Sequence, residues 1–179
     1  MRICLSLIFL LITTSSYAAS FKGKFIQGSF ILGKTEPNAE VFIDDTKVKV
    51  TNDGYFAFGL DRDRKNDVVI TINKKKIVKK VFKREYKIQR IDGLEEKKVT
   101  PPEEVYERIK RENKWIGEAR TINSNLVFFK NKFIKPLEKA IVTGVYGSQR
   151  ILNGKPKWPH YGIDFAAEEG TKIKAMLDG

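Results

Sequence analysis

Cysteine is almost missing from this chain. Its single example, Cys4, lies inside the apolar run 3–12 near the amino terminus, so a protein cut after Ala18 carries none. Disulfide cross-links, thiolate zinc sites and a cysteine nucleophile are thereby excluded from the mature protein. Histidine is equally scarce, with His160 the only one in 179 residues. No apolar run reaches the roughly 20 residues that a membrane-spanning helix needs. Between residues 25 and 91 there is no acid/base cluster, no phosphate-binding glycine loop and no pair of metal-ligand residues.

Basic charge is what the chain has in excess: 34 Lys and Arg stand against 22 Asp and Glu, a formal net charge of +12. Such an excess suits an anionic partner. The first residues qualify which one. Met1 and Arg2 give a positive start, the run 3–12 is apolar, and Ser16 and Ala18 place small residues at both cleavage-determining positions, the form of a secretory signal peptide spanning 1–18. Export favours anionic envelope material (peptidoglycan, its attached polymers or a membrane surface) over nucleic acid, and the same charge also serves plain solubility. The expected location is the periplasm or cell envelope.

Residues 19–98 read as short β-rich runs between turn signals, the spacing of a small sandwich. Residues 39–43 and 46–50 flank a two-residue turn at Asp44 and Asp45, and Asn52, Asp53 and Gly54 turn the chain into a strand over 55–58. Residues 68–72 and 77–82 make another pair across Asn73, Lys74 and Lys75, and Tyr86 with Ile88 suggests one more strand. Lys74, Lys75, Lys76, Lys79, Lys80, Lys83 and Arg84 crowd that hairpin. Lysines on an edge strand keep sheets from pairing with other molecules; the same lysines also make an anion-binding face.

Residues 99–124 read as a helical connector. Thr100 as cap, Pro101 at the first helical position and Glu103 as the closing half of a capping box predict a helix running to about Ala119. Glu104 with Arg108 and Glu107 with Arg111 stand four apart with the acid first. Val105, Ile109 and Ile116 form a narrow apolar stripe, expected to pack on a neighbouring domain.

From 125 onward, residues 126–129, 133–134, 140–143 and 163–165 read as successive strands, with Pro136 and Gly144 as breaks. Arg150 is expected in a loop before the histidine. His160 and Asp164, four apart, are both of a type that binds zinc. On a straight strand their α-carbons would be about 13 Å apart at roughly 3.3 Å per residue, at the limit of a shared ion, so the backbone is expected to bend at Gly162.

The window His160-Tyr-Gly-Ile-Asp164-Phe-Ala-Ala, followed by Glu169-Gly-Thr-Lys-Ile-Lys-Ala and Asp178-Gly179, resembles the opening of the LytM/lysostaphin-like zinc metalloendopeptidases, which cut peptide cross-links in bacterial cell walls. The upstream Thr143-Gly-Val-Tyr-Gly-Ser-Gln-Arg150 is similar to that family's strand and glycine turn. The resemblance implies zinc as cofactor and His160 and Asp164 as two of its ligands. Arg150, in the expected loop before the histidine, is either a substrate-binding residue facing the oxygen of a polarised amide or simply a solvated side chain. The resemblance places the third ligand and the catalytic histidine on a later H-x-H segment, so no catalytic residue is assigned in this chain. Residues 125–179 then correspond to the first part of an antiparallel β peptidase domain, and residues 19–98 resemble the immunoglobulin-like β modules that precede it in some members. The implied protein is a mainly β, exported, peptidoglycan-directed metalloendopeptidase, inactive as written. The alternative is a non-catalytic wall-binding or regulatory protein derived from one.

Overall fold

The computed structural model describes residues 18–100 and 102–178. The expected signal segment therefore lies outside the described residues except for Ala18, and so does Pro101.

The chain is mainly β. Seven strands open it: β1 (Ser20–Lys22), β2 (Phe30–Lys34), β3 (Val41–Ile43), β4 (Thr46–Val48), β5 (Tyr55–Gly59), β6 (Val68–Ile72) and β7 (Lys75–Lys79). They form two antiparallel sheets, ordered β1-β2-β5 and β4-β3-β6-β7. Every second residue of β2, β5 and β6 is buried, as the strand period of two requires when one face meets a second sheet. Ile31, Phe56 and Phe58 from one sheet meet Val41, Ile43, Val68, Ile70 and Ile72 from the other in a single core. Gly33, opposite Phe56 in the register, leaves room for that ring: a Cβ there would fall 2.2 Å from Phe56 Cζ.

The turns explain the pairing. Asp44 accepts a positive φ of 52°, and its carboxylate receives both terminal nitrogens of Arg64 at 2.9 Å and the Val69 amide at 3.1 Å. The β6–β7 turn is the two-residue Asn73-Lys74, with φ of 45° and 70°, the hairpin type whose twist matches that of its strands. The second strand of this hairpin therefore starts at Lys75 and ends at Lys79, earlier at both ends than its apolar residues suggest. β7 is a sheet edge, and Lys75, Lys76 and Lys79 lie on it.

β8 (Ile88–Ile91) departs from expectation. It leaves the sandwich and pairs in parallel with β10 (Gln149–Leu152), which also pairs with β11 (Lys155–Pro156) across Asn153-Gly154. The carboxy-terminal part is thus not purely antiparallel. A short helix α1 (Glu96–Val99) follows β8, and helix α2 (Glu103–Arg120) follows α1. Thr100 does not cap α2. It closes α1, donating its amide to the Glu96 carbonyl and its hydroxyl to the Glu96 carboxylate, and Pro102 takes the cap position of α2. Arg108 pairs forward with Glu112 at 2.7 Å rather than back with Glu104. The stripe of Val105, Ile109 and Ile116 is exposed, so α2 does not dock through it on the described residues. Residues 126–129 are not a strand: Phe128–Lys130 form a 3₁₀ turn, and 133–134 are irregular. β9 (Ile141–Gly144) and β12 (Asp164–Ala166) pair antiparallel.

The two parts meet at Tyr86. Its ring lies 4.4 Å from the Arg62 guanidinium and 5.4 Å from that of Arg84, and burial pushes its phenol above the ordinary value. Arg62 Nε donates to the Gly147 carbonyl at 2.8 Å. Further along, Lys49 Nζ donates to Asn123 Oδ1, the Ser124 carbonyl and Asn125 Oδ1, tying the end of the connector to the sandwich.

Candidate functional site

β9 and β12 build one side of the site. Their register shifts between Asp164 and Phe165, setting Asp164 opposite Gly144. A Cβ on residue 144 would stand 2.4 Å from Asp164 Oδ2, so the glycine is what lets the carboxylate lie flat across its neighbour strand. His160 is fixed from the other side by its backbone. Its amide donates to the Ser148 carbonyl at 2.8 Å, and its own carbonyl accepts from the Gly147 amide at 2.7 Å. The stretch 145–148 is itself a turn, closed by the Ser148 amide and hydroxyl on the Val145 carbonyl. The chain bends at Gly162, and only Asp164 of the pair is in a strand.

The bend brings His160 Nε2 to 3.2 Å from Asp164 Oδ1. The two are close but not aligned for hydrogen bonding, and Nε2 is closed off from solvent with no hydrogen-bond partner among the described residues. A buried ring nitrogen without a partner is costly unless something else satisfies it. Both groups line a cavity of about 600 Å³ that also takes in Val99, Arg150, Lys157 and Trp158. Tyr161 and Tyr146 meet edge to face at 6.1 Å beside it.

Arg150 is not on a loop. It lies in β10, exposed, with Nε 3.4 Å from Gln89 Oε1 across the parallel pairing. Even so it shares the cavity with His160 and Asp164. Sequence reasoning missed Lys157, Val99 and Gly144 as neighbours of the pair. Asn153-Gly154 was the available signal for the first: that dipeptide marks the β10–β11 hairpin, which returns Lys157 alongside Arg150, its amide donating to the Arg150 carbonyl at 2.9 Å. No local signal announces the other two.

No family model matches this chain, and no curated protein matches it. The site must therefore be judged on its chemistry. An imidazole nitrogen lacking a hydrogen bond and a carboxylate 3.2 Å away fit two positions of a zinc coordination shell. No group of three or more His, Cys, Asp or Glu residues able to hold an ion exists among the described residues. The donor set supplies two of the three protein ligands that a catalytic zinc takes, and no third stands beside them among the described residues.

Proposed function

We propose that the chain belongs to an exported, peptidoglycan-directed zinc metalloendopeptidase of the LytM/lysostaphin type, with residues 20–79 as its wall-facing β module and His160 and Asp164 as two of three metal ligands. The observation that carries this reading is the buried, unpartnered His160 Nε2 beside Asp164 Oδ1 at 3.2 Å. When bound, zinc polarises an amide carbonyl and activates water at neutral pH. The chain's own contribution is positional. Gly144 admits the carboxylate, the turn at 145–148 holds the His160 backbone, and Tyr146 against Tyr161 closes one flank. Without a second histidine, this sequence supplies no proton-handling imidazole beyond the ligand, and the chain alone is not expected to hydrolyse walls.

The single histidine gives one set of ring signals in proton NMR, so a zinc titration reads the site directly. Zinc is expected to shift those signals at one equivalent, reversibly and with loss on dialysis, and Asp164→Ala to weaken the effect at least about tenfold. No shift of the histidine signals at millimolar zinc would sink the metal-site reading.

A second reading rests on a different observation, the lysines along the β7 edge: a non-catalytic wall-binding or regulatory protein. Pelleting with purified walls tests it. Replacing Lys75, Lys76, Lys79 and Lys80 by glutamine should cut wall binding severalfold at low salt and little at high salt. Unchanged pelleting at low salt would leave those lysines as guards of a sheet edge only.

A further inference from the structure

The cavity beside His160 and Asp164 is unevenly charged. Lys87, Arg150 and Lys157 line it, against the single carboxylate of Asp164. Arg150 lies in β10, Lys157 directly follows β11 and Lys87 directly precedes β8. The Lys87 carbonyl accepts from the Gln149 amide at 3.0 Å, and the Lys157 amide donates to the Arg150 carbonyl at 2.9 Å, so the hairpin β10–β11 and the start of β8 gather them onto one wall. Lys155, on the same hairpin, is already matched, holding Glu96 at 2.6 Å. Glu96 lies near enough to feel Lys157, but its carboxylate is hydrogen-bonded to Lys155 and Thr100. The Lys157 ammonium donates to the Val99 carbonyl, a neutral group. Arg150 makes one long contact through Nε, and the outer edge of its guanidinium, two parallel N–H groups, has no hydrogen-bond acceptor among the described residues. A guanidinium edge of this kind matches a carboxylate through two hydrogen bonds at once.

We propose that this wall is a carboxylate-recognition subsite, and that the cavity takes acidic peptides, held by a free carboxylate on Arg150 with Lys157 and Lys87 in support. The proposal rests on the peptidase reading for one clause only, that the bond addressed by His160 and Asp164 is an amide; in that case the carboxylate belongs to a residue flanking the bond. Arg150 is the specificity-determining residue, and Lys157 places charge behind it without requiring a fixed geometry.

Trp158, 88% exposed on the cavity rim, reports occupancy by its fluorescence once the other tryptophan is silenced by Trp115→Phe. The probe is the synthetic tetrapeptide acetyl-Ala-Glu-Ala-Ala with a free carboxy terminus, compared with the same peptide carrying Gln for Glu and a terminal amide. The acidic peptide is expected to quench saturably and the neutral one not to. Arg150→Gln should weaken binding about tenfold, the value of a charge-assisted pair, and Arg150→Lys should restore part of it, since a point charge replaces the fork. Lys157→Gln should cost less. An unchanged denaturant-unfolding midpoint establishes that the variants, His160→Ala included, are folded. Equal binding of the two peptides would overturn the proposal, as would full displacement by inorganic phosphate at lower concentration than the peptide, which would make the wall a phosphate site. His160→Ala separates this idea from the metal reading: peptide binding is expected to survive it, and would survive even if zinc never touched the histidine.

Discussion

Gly144 controls how near Asp164 can come to His160. Its missing side chain is filled by the Asp164 carboxylate, and because that carboxylate sits on a short flexible stem, alanine at 144 would be accommodated by swinging the acid away. Gly144→Ala is therefore expected to leave thermal stability within about 1 kcal/mol while weakening zinc binding, read on the histidine signals, at least severalfold. A second residue-level consequence concerns Asp53. The Lys130 ammonium and the Thr51 hydroxyl hold its carboxyl down from the ordinary 3.8 to about 2. A group depressed in this way contributes stability that is present above its unfolded value and disappears as the pH falls through the folded one. The difference in stability between the native chain and Asp53→Asn should thus be constant above about pH 5 and shrink between about pH 4 and 2, measured by denaturant unfolding across that range. An unvarying difference would show that Lys130 and Asp53 do not meet in solution.

Among the elements, β2 and β5 are tightly packed on each other, because Phe56 lies across the bare backbone of Gly33. Phe56→Ala should destabilise by about 3–5 kcal/mol and Gly33→Ala by about 1–3 kcal/mol through overpacking; a mild Gly33→Ala would mean that the ring has freedom to move. The β6–β7 turn offers the opposite sign. Lys74 holds a φ of 70°, which glycine adopts without steric cost, so Lys74→Gly should stabilise by about 0.5–1 kcal/mol. How far such elements can be read in advance depends on what holds them. The hairpins at Asp44 and at Asn73 were legible because local turn chemistry specifies them. β2 was not, because Gly33 and Lys34 interrupt the strand signal and its partner β5 lies some twenty residues downstream. Residues 126–129 carry the composition of a strand but find no neighbouring strand: Leu126 and Val127 are irregular, and Phe128 and Phe129 enter the 3₁₀ turn Phe128–Lys130 instead. The stripe on α2 was correctly periodic, yet periodicity says only that a face exists, not that it is covered. The His160–Asp164 pair was legible from chemistry and spacing, and the bend that joins them from Gly162. Around the pair, Lys157 is signalled by the Asn153-Gly154 hairpin, whereas Val99, Lys87 and Gln89 reach the cavity from far away in sequence and carry no local mark.

Across the whole molecule, two differently built parts are joined by a few specific contacts. Arg62 on Gly147, Tyr86 between two guanidiniums, Lys49 on the connector and Lys130 on Asp53 are polar and directional. They orient the cavity relative to the sandwich more than they stabilise it. Lys49→Met, which keeps the stem and removes the donor, should leave the sandwich's unfolding unchanged while making the chain near Asn123 more open to proteases; equal cleavage rates would mean the latch is not closed in solution. The parallel pairing of β8 with β10 sets the order in which these parts come into being. Arg150 and Gln89 meet from positions 61 residues apart, whereas every strand of the sandwich is complete by Lys79. On an emerging polypeptide the sandwich can close first, and β8 then waits with an unpaired edge until β10 has been made. Closing so long a loop is slow compared with making a hairpin, so refolding should proceed in two phases, with fluorescence from Trp158 belonging to the later one. For that interval the nascent chain carries an open strand edge, and its exposure to aggregation is set by how long β10 takes to arrive.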